Sequence, residues 1–282
     1  MYSDCFDGAH SPARGKFTLD EVTDHGQSNC RELVRPCDIK GILHSHSRWT
    51  DGAHSLESMA NTARDIGLEY LGISDHFYSE NHQEGLDLAA AKIQRAEVNR
   101  LLDKFPGFDL LQGIEVDVNP DGSLPVDDET LDHFDFVIAA FPENGGYDRD
   151  QLLNQVVAAA LHPKVTILGT PVGDFMLLGC NGTAEMERVL NAAAEGGTAV
   201  EISANPNCKE LDWTCCHKAQ DLGVYMAISP NAHRAARLVD FRHGAELAQA
   251  AGITCGSILN TMSSDQLRHH LANGFHKPDR AS

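Results

Sequence analysis

The sequence predicts a single-domain α/β barrel, and three observations support that fold class. Seven short apolar runs alternate with longer amphipathic segments from about residue 38 onward. The runs are apolar on both faces, as parallel strands are when helices cover them. The alternation passes through all seven units without a break in composition, which favours one closed barrel over an open, doubly wound sheet.

The predicted strands and helices follow one another in a regular order. The strands span residues 39–43, 69–74, 109–116, 134–140, 164–169, 198–203 and 224–229. Helical patterns lie between and after them, at residues 56–66, 86–104, 148–161, 183–195, 212–222 and 242–251. Ser55 is the expected N-cap of the first helix, and Gly67 is its expected C-terminal stop. This order implies parallel strands that are joined by helical crossovers.

The chain of 282 residues is long enough for one large barrel. Residues 1–36 are polar and aperiodic, so we interpret them as an N-terminal arm, with the barrel at residues 37–275 and a tail at residues 276–282. The first residues lack the basic and apolar regions of a signal peptide, and the eight cysteines are scattered with no CxxC pair. We therefore expect a cytoplasmic protein. No apolar run approaches the roughly 18 residues that a membrane span requires.

The charge of the chain limits its partners. Lys and Arg total 22 against 41 Asp and Glu, which gives a net charge of −19. Such a surface repels phosphate backbones and anionic lipids, and no basic run offsets it. The charge therefore disfavours nucleic acid and membranes as partners and favours a small phosphorylated substrate. The unusual feature is histidine, with 15 residues.

Histidines and acids cluster in register at the ends of the predicted strands. His44, His46 and Asp51 follow the first predicted strand, and His76 follows the second. Glu115 lies at the end of the third, and Asn231 and His233 follow the seventh. In a β/α barrel the carboxyl ends of the strands meet at the face that carries the active site. Imidazole nitrogens and carboxylate oxygens suit Zn, Mn or Fe. One HxH pair means little in a histidine-rich chain, but the shared register predicts a metal site.

The segments that carry these residues resemble the polymerase and histidinol phosphatase (PHP) superfamily. Its opening block is similar to DIKGILHSHSRWTDGAHSLESMANTARDIGLEYLGISDHF, and its later blocks are similar to GIEVDVNPDGSL, VTILGTPVGD, EISANPN and LGVYMAIS. The resemblance runs from about Asp38 to about Leu271 and is nearest to the C-terminal PHP domain of bacterial family X DNA polymerases. It implies a distorted (β/α)7 TIM-like barrel with nine ligand positions for up to three metals, which usually hydrolyses phosphate esters.

Six of the nine family positions keep a ligand in this sequence, and three do not. The retained residues are His44, His46, Asp51, His76, Glu115 and His233; the changed positions carry Pro142 and Thr170 in place of histidines and Asn231 in place of an aspartate. The resemblance implies one centre at Asp51, His76 and His233, and a second at His44, His46, Glu115 and position 231. A third centre would need positions 142 and 170. We therefore expect one or two divalent ions (Zn, Mn or Fe) and not three, with Asn231 as a weak ligand.

The predicted activity is that of a metal-dependent phosphoesterase which attacks a small phosphorylated metabolite or nucleotide with metal-activated water. Arg48 and Arg234 flank predicted ligands and are candidates for phosphate contacts. Asp75 and Asp117 are candidates for orienting the ligands from behind. Two other functions fit the same residues: a catalytically inactive PHP-like module for binding or scaffolding, and a metal enzyme of non-phosphate chemistry.

Overall fold

Seven parallel strands form one sheet and follow one another in sequence order. The structure is a computed structural model that describes residues 32–141, 149–169, 184–204 and 213–273. The strands are β1 Gly41–Ile42, β2 Tyr70–Ile73, β3 Asp109–Asp117, β4 Phe136–Ala140, β5 Ile167–Leu168, β6 Ala199–Ser203 and β7 Met226–Ser229. Each strand lies where the apolar runs predict it, and most are shorter than the run. The sequence order of parallel neighbours confirms the predicted crossover topology.

Helices connect the strands at the predicted places. They are α1 Leu56–Asp65, α2 Leu88–Lys104, α3 Asp128–Leu131, α4 Arg149–Leu161, α5 Ala184–Gly196, α6 Trp213–Leu222, α7 Phe241–Ala250 and α8 Ser264–Asn273. Ser55 caps α1 as predicted, because its side chain accepts a hydrogen bond from the Ser58 amide at 3.2 Å. Gly67 ends this segment with φ of 89°, a conformation that glycine adopts at little cost. The periodicity did not predict α3 or α8.

The sheet curls until its first and last strands meet. Ser45 and Ala232, just beyond β1 and β7, form a parallel bridge, and the His46 amide donates to the Ala232 carbonyl at 3.0 Å. Asn260 joins the same two strands lower down, where its side-chain amide donates to the carbonyls of Gly41 and Ile228. The arrangement confirms the expected (β/α)7 TIM-like barrel in a single sheet. Its distortion lies at this seam, where isolated bridges replace a regular ladder.

The core has two layers. Residues from all seven strands or their immediate continuations pack on one another inside the barrel, including Leu43, Tyr70, Leu111, Phe136, Ile138, Ile167, Ala199 and Ala227. A larger cluster joins the outer faces of the strands to the surrounding helices. Gly113 makes room for this interior, because a Cβ there would lie 2.2 Å from the Phe136 ring. A packed interior of this kind fixes the strand ends that carry the polar residues.

The two ends of the chain are only partly described. Residues 1–31 of the predicted arm and the whole of the predicted tail lie outside the described residues. The described end of the arm contacts the barrel, since the Val34 amide donates to the Ile253 carbonyl at 2.9 Å. None of the described helices is both long enough and apolar enough to cross a membrane.

Candidate metal centre

The first strand delivers two buried histidines to the carboxyl end of the barrel. His44 and His46 follow β1 in extended backbone, so their side chains point to the same side and that of Ser45 to the other. All three residues are fully buried. The Ser45 hydroxyl donates to the Gly72 carbonyl at 2.8 Å, which ties this segment to β2. The HxH pair is thus placed by strand geometry and by contacts with both neighbouring strands.

A tight loop after His46 brings Asp51 back over the two histidines. The Gly52 amide donates to the Ser47 carbonyl at 2.9 Å. A Cβ at Gly52 would lie 2.5 Å from the His46 carbonyl oxygen, so only glycine fits this close approach. The Asp51-Gly52 pair is therefore a turn, and the same turn presents the Asp51 carboxylate to the site.

Asp75 holds this loop in place. Its buried carboxylate accepts hydrogen bonds from the Ser47 amide (2.7 Å), the Ser47 hydroxyl (2.6 Å), the Thr50 hydroxyl (2.7 Å) and the Gln94 amide (2.6 Å). We expected Asp75 to orient a histidine, but its partners are the loop and α2. It therefore acts on Asp51 through the loop backbone. Burial raises the pKa of Asp75, although these four donors favour its ionised form.

Three histidines converge on one carboxylate oxygen. Glu115 Oε2 lies 3.3 Å from His44 Nε2, from His46 Nε2 and from His76 Nδ1. Glu115 belongs to β3 and is 7% exposed, so its charge is removed from water. His44, His46 and Glu115 offer ligand atoms that all lie within 4.8 Å of one another. This first cluster has the composition and spacing of a metal site.

A second cluster surrounds Asp51. Asp51 Oδ2 lies 3.0 Å from His233 Nε2 and 3.6 Å from His76 Nε2, and Asp51 Oδ1 lies 3.8 Å from His46 Nδ1. The four residues offer ligand atoms within 4.8 Å of one another. His46 belongs to both clusters. The structure therefore brings six predicted ligands together from four separate segments of the chain.

The hydrogen bonding of these side chains fits a divalent ion. His46 is fully buried, and neither of its ring nitrogens has a hydrogen-bond partner among the described residues. The same holds for Nδ1 of His76 and for the side-chain oxygen of Asn231. Leaving a buried polar group unpaired costs about 1–3 kcal/mol. Imidazole and carboxylate donors of this kind suit Zn, Mn or Fe, which would satisfy the unpaired atoms.

The electrostatics of the site keep its carboxylates ionised. Burial opposes the charge of Glu115, but His44 and His76 outweigh it and hold the pKa of Glu115 well below its usual range. Burial also opposes the charge of Asp51, where hydrogen bonds from His233 and His76 keep the pKa far below normal. Burial lowers the pKa of His46, so its ring is neutral at physiological pH. Glu115, Asp51 and His46 thus have the protonation states that metal binding needs, whereas His44, with a pKa raised to about 10, would release a proton when an ion binds.

Two residues of the site were missed by the sequence prediction. Glu201 in β6 lies 2.5 Å from His44 Nδ1 through its Oε1 atom. Burial lowers the pKa of His44, but the charges of Glu201 and Glu115 outweigh it and raise that pKa to about 10. Glu201 is a lone charged residue in an apolar strand, the same signal that pointed to Glu115. His82 lies in the loop after β2, and its ring stacks on His76.

Other predicted residues lie at the edge of the site or outside the described residues. Arg48 is exposed and donates from Nε to the Ala53 carbonyl at 2.8 Å, and Arg234 is exposed next to His233. Asn231 has φ of 45°, which asparagine tolerates, and its backbone oxygen lies 3.1 Å from His233 Nδ1. Pro142 and Thr170 lie outside the described residues. Ligand and phosphate-binding roles for all of these residues stay predictions.

The fold is a (β/α)7 barrel with histidines and acids clustered at the carboxyl ends of its strands, and comparison with known proteins finds chains that are similar to it. No protein-family profile matches the chain. The chain is 30% identical over 248 residues to the DNA polymerase/3'-5' exonuclease PolX of Bacillus subtilis. The matched region covers 86% of this chain and 44% of PolX. The chain thus spans less than half the length of that relative. It is 25% identical over 236 residues to the probable phosphatase Teth514_1060 of Thermoanaerobacter, covering 79% of this chain and 91% of the relative.

Solved structures show the same fold. Histidinol phosphate phosphatase from Lactococcus lactis, solved with zinc, L-histidinol and phosphate, superposes with a TM-score of 0.58 at 19% identity and covers 76% of this chain and 94% of its own. A putative histidinol phosphatase from Listeria monocytogenes gives a TM-score of 0.55 at 13% identity, covering 71% and 97%. Together with the sequence relatives, these matches confirm the resemblance to the PHP superfamily.

Proposed function

We propose that the protein is a metal-dependent phosphoesterase that hydrolyses a small phosphorylated metabolite or nucleotide with metal-activated water. The observation that carries this proposal is His46. Its ring is fully buried between two carboxylates, and neither nitrogen has a hydrogen-bond partner among the described residues. A buried imidazole in that state is costly without a ligand.

Different side chains of the proposed site would bind the ions, orient the ligands and bind the phosphate. His44, His46 and Glu115 would hold one ion, and Asp51, His76 and His233, with His46 between the clusters, would hold another. A divalent ion held by these residues would supply a bound water of lowered pKa and would offset negative charge on a phosphoryl group. Glu201 orients His44, and the Asn231 carbonyl orients His233. The exposed guanidinium groups of Arg48 and Arg234 would bind the outer phosphate oxygens.

The relatives support hydrolysis of a phosphate ester. Teth514_1060 is described as a probable phosphatase, and PolX as a 3'-5' exonuclease as well as a polymerase. The histidinol phosphatase with the same fold was solved with zinc and phosphate. The net charge of −19 disfavours long nucleic acids, so a small phosphorylated compound is the proposed substrate.

We propose a reduced site of one or two ions. Pro142 has no side-chain donor or acceptor, and a threonine hydroxyl such as that of Thr170 is a weak ligand at neutral pH. The six residues of the two clusters would then form the whole ligand set, with Asn231 as a weak addition.

Hydrolysis of p-nitrophenyl phosphate tests the proposal, with metal content measured on the same samples. The metal-free protein is loaded with Mn, Zn or Fe, and we expect turnover with at least one of them. His46→Gln should lose roughly 100-fold or more in rate, because it removes a ligand that both clusters share. His133→Gln is the matched control, since His133 is exposed and lies outside both clusters. A wild-type protein with no bound metal and no turnover would exclude the proposed activity.

A triple variant separates the reduced site from an inactive one. Pro142→His, Thr170→His and Asn231→Asp together restore the family ligands, so metal content should rise by up to one ion per chain. If the reduced site is catalytic, the wild-type protein hydrolyses the ester without these three substitutions. Activity that appears only in the triple variant would mean that the natural protein is not a phosphoesterase of the family's kind.

A further inference from the structure

The loop after β2 packs onto the metal centre through one ring. His82 stacks on His76 with ring centroids 3.6 Å apart and ring planes 9° apart. His76 lies 4.6 Å from His46, and His46 lies 4.2 Å from His233, with interplanar angles of 24° and 23°. Four imidazoles therefore form one continuous stack, with His82 at one end and His233 at the other. His82 belongs to neither ligand cluster.

The loop that carries His82 is built to hold this position. At its base, the Leu86 amide donates to the His76 carbonyl at 2.8 Å, and the Tyr78 amide donates to the Leu86 carbonyl at 2.9 Å. A Cβ at Gly85 would lie 2.6 Å from the backbone of Phe77, so the close approach needs glycine. The loop thus leaves and rejoins the barrel beside His76.

Asp117, at the end of β3, ties the middle of the loop to the barrel. Its Oδ2 atom accepts hydrogen bonds from the Ser79 hydroxyl at 2.6 Å and from the Asn81 amide at 3.1 Å. Its Oδ1 atom lies 3.8 Å from His82 Nε2. The side chains of His82 and Asp117 are 26% and 10% exposed, so both lie mostly out of solvent. Asp117 therefore fixes the position of the His82 ring and contacts it directly.

Among the described residues, His76, like His46, has no hydrogen-bond partner outside the two clusters that would orient its ring. Metal-binding histidines are usually oriented by a hydrogen bond from the second ring nitrogen. His44 has such a partner in Glu201, and His233 has one in the Asn231 carbonyl. In His76, Nδ1 faces Glu115 at 3.3 Å and Nε2 faces Asp51 at 3.6 Å, so both nitrogens point into the clusters. Neither nitrogen is left to orient the ring.

From this geometry we infer that His82, held by Asp117, is a positioning residue that fixes the ring plane of His76 through stacking. The face of His82 limits rotation of the His76 ring, which keeps Nε2 directed at Asp51 and Nδ1 directed at Glu115. The inference rests on the proposed metal site, because it assigns His82 a role in the affinity of that site.

Binding of Co²⁺ to the metal-free protein tests the inference, with the visible absorption of the bound ion as the readout. His82→Ala should weaken Co²⁺ binding roughly tenfold and change the absorption spectrum. His82→Phe keeps a ring but no ligand or acid–base group, so it should restore both affinity and spectrum. His133→Ala is the control for loss of an exposed histidine. Thermal unfolding of each metal-free variant shows whether the barrel is intact.

A double-mutant cycle tests the part played by Asp117. Asp117→Ala should weaken Co²⁺ binding in the wild-type background and should have a smaller effect when His82 is already alanine. Wild-type affinity and spectrum in His82→Ala would overturn the inference, and so would a His82→Phe variant that behaves like His82→Ala. If the wild-type protein binds no Co²⁺, the proposed metal site fails and the inference fails with it.

Discussion

The acids at the two ends of this barrel have different kinds of ion-pair partner. At the amino end, Asp109 accepts two hydrogen bonds from Arg268, and Asp135 pairs with Arg95 at 2.8 Å. At the carboxyl end, the ion-pair partners of Asp51 and Glu115 among the described residues are histidines. A guanidinium keeps its proton and its charge at any physiological pH, whereas an imidazole can give up its proton and bind a metal ion in its place. The amino end is thus built for stability and the carboxyl end for binding a metal ion.

The largest effect should come from neutralising the acid on which three histidines converge. Glu115→Gln keeps the shape of the side chain and removes the charge. We expect loss of bound metal and a fall in phosphatase rate of more than roughly 100-fold. Metal analysis and ester hydrolysis measure the two effects.

Asp109→Asn is the matched variant at the other end of the barrel. It removes a charge that Arg268 already neutralises, so metal content and rate should stay at wild-type values while stability falls. A loss of metal in Asp109→Asn, or full metal content in Glu115→Gln, would contradict the division between the two ends.

A smaller effect should follow from Glu201→Gln. Glu201 accepts a hydrogen bond from His44 and is not counted in either ligand cluster. Removing the charge that orients a metal-binding histidine costs roughly 10–100-fold in metal affinity. Titration of the metal-free variant with Zn²⁺ against a competing chelator measures this change. An unchanged affinity would show that His44 needs no such partner.

The smallest effect concerns the amino end and its dependence on pH. Hydrogen bonds from Arg268 and Ser264 outweigh burial and lower the pKa of Asp109. A carboxylate with a lowered folded pKa stabilises the protein fully above its unfolded value of about 3.9, and this contribution is lost as the pH falls through the folded value. Arg268→Met should therefore cost about 1 kcal/mol at pH 7 for a pair that is partly exposed.

Urea unfolding of the wild-type protein and Arg268→Met at several pH values measures this difference. The gap in unfolding free energy should narrow below about pH 4. Arg100→Met is the control, because Arg100 lies 3.9 Å from Glu57 in an exposed pair. A gap that is constant between pH 7 and pH 3 would show that Arg268 acts through packing alone.

Much of this molecule follows from its sequence because the strands are buried on both faces. Because of that burial, all seven strands could be predicted from apolar runs in the sequence. His44, His76 and His233 each follow one of these strands, so the sequence also predicted that the three residues lie at the same end of the barrel. The first and last residues of the short strands β1 and β5 could not be predicted, because only two residues of each strand pair regularly with a neighbouring strand. Helix α8 was not predicted, because it lies after the last strand–helix unit of the repeating pattern.

The missed parts of the site have two different causes. Glu201 could have been found, because an isolated acid in an apolar strand is costly unless it is paired. His82 could not, since its contact with His76 depends on how one loop folds onto Asp117. Asp75 was expected to orient a histidine, but it accepts hydrogen bonds from Ser47 and Thr50 of the loop. Strand register is set by a period of two, whereas loop contacts have no such period.

Anomalous diffraction from crystals of the Mn-loaded protein, collected at a wavelength where Mn scatters anomalously, tests the metal site most directly. The predicted result is one or two anomalous peaks in contact with His46, with Asp51, His76 and His233 around one and with His44 and Glu115 around the other. Crystals of Glu115→Gln grown in the same way should lose at least the peak beside His44. A well-ordered site with no peak, or a peak bound elsewhere on the chain, would contradict the assignment of these residues as a metal centre.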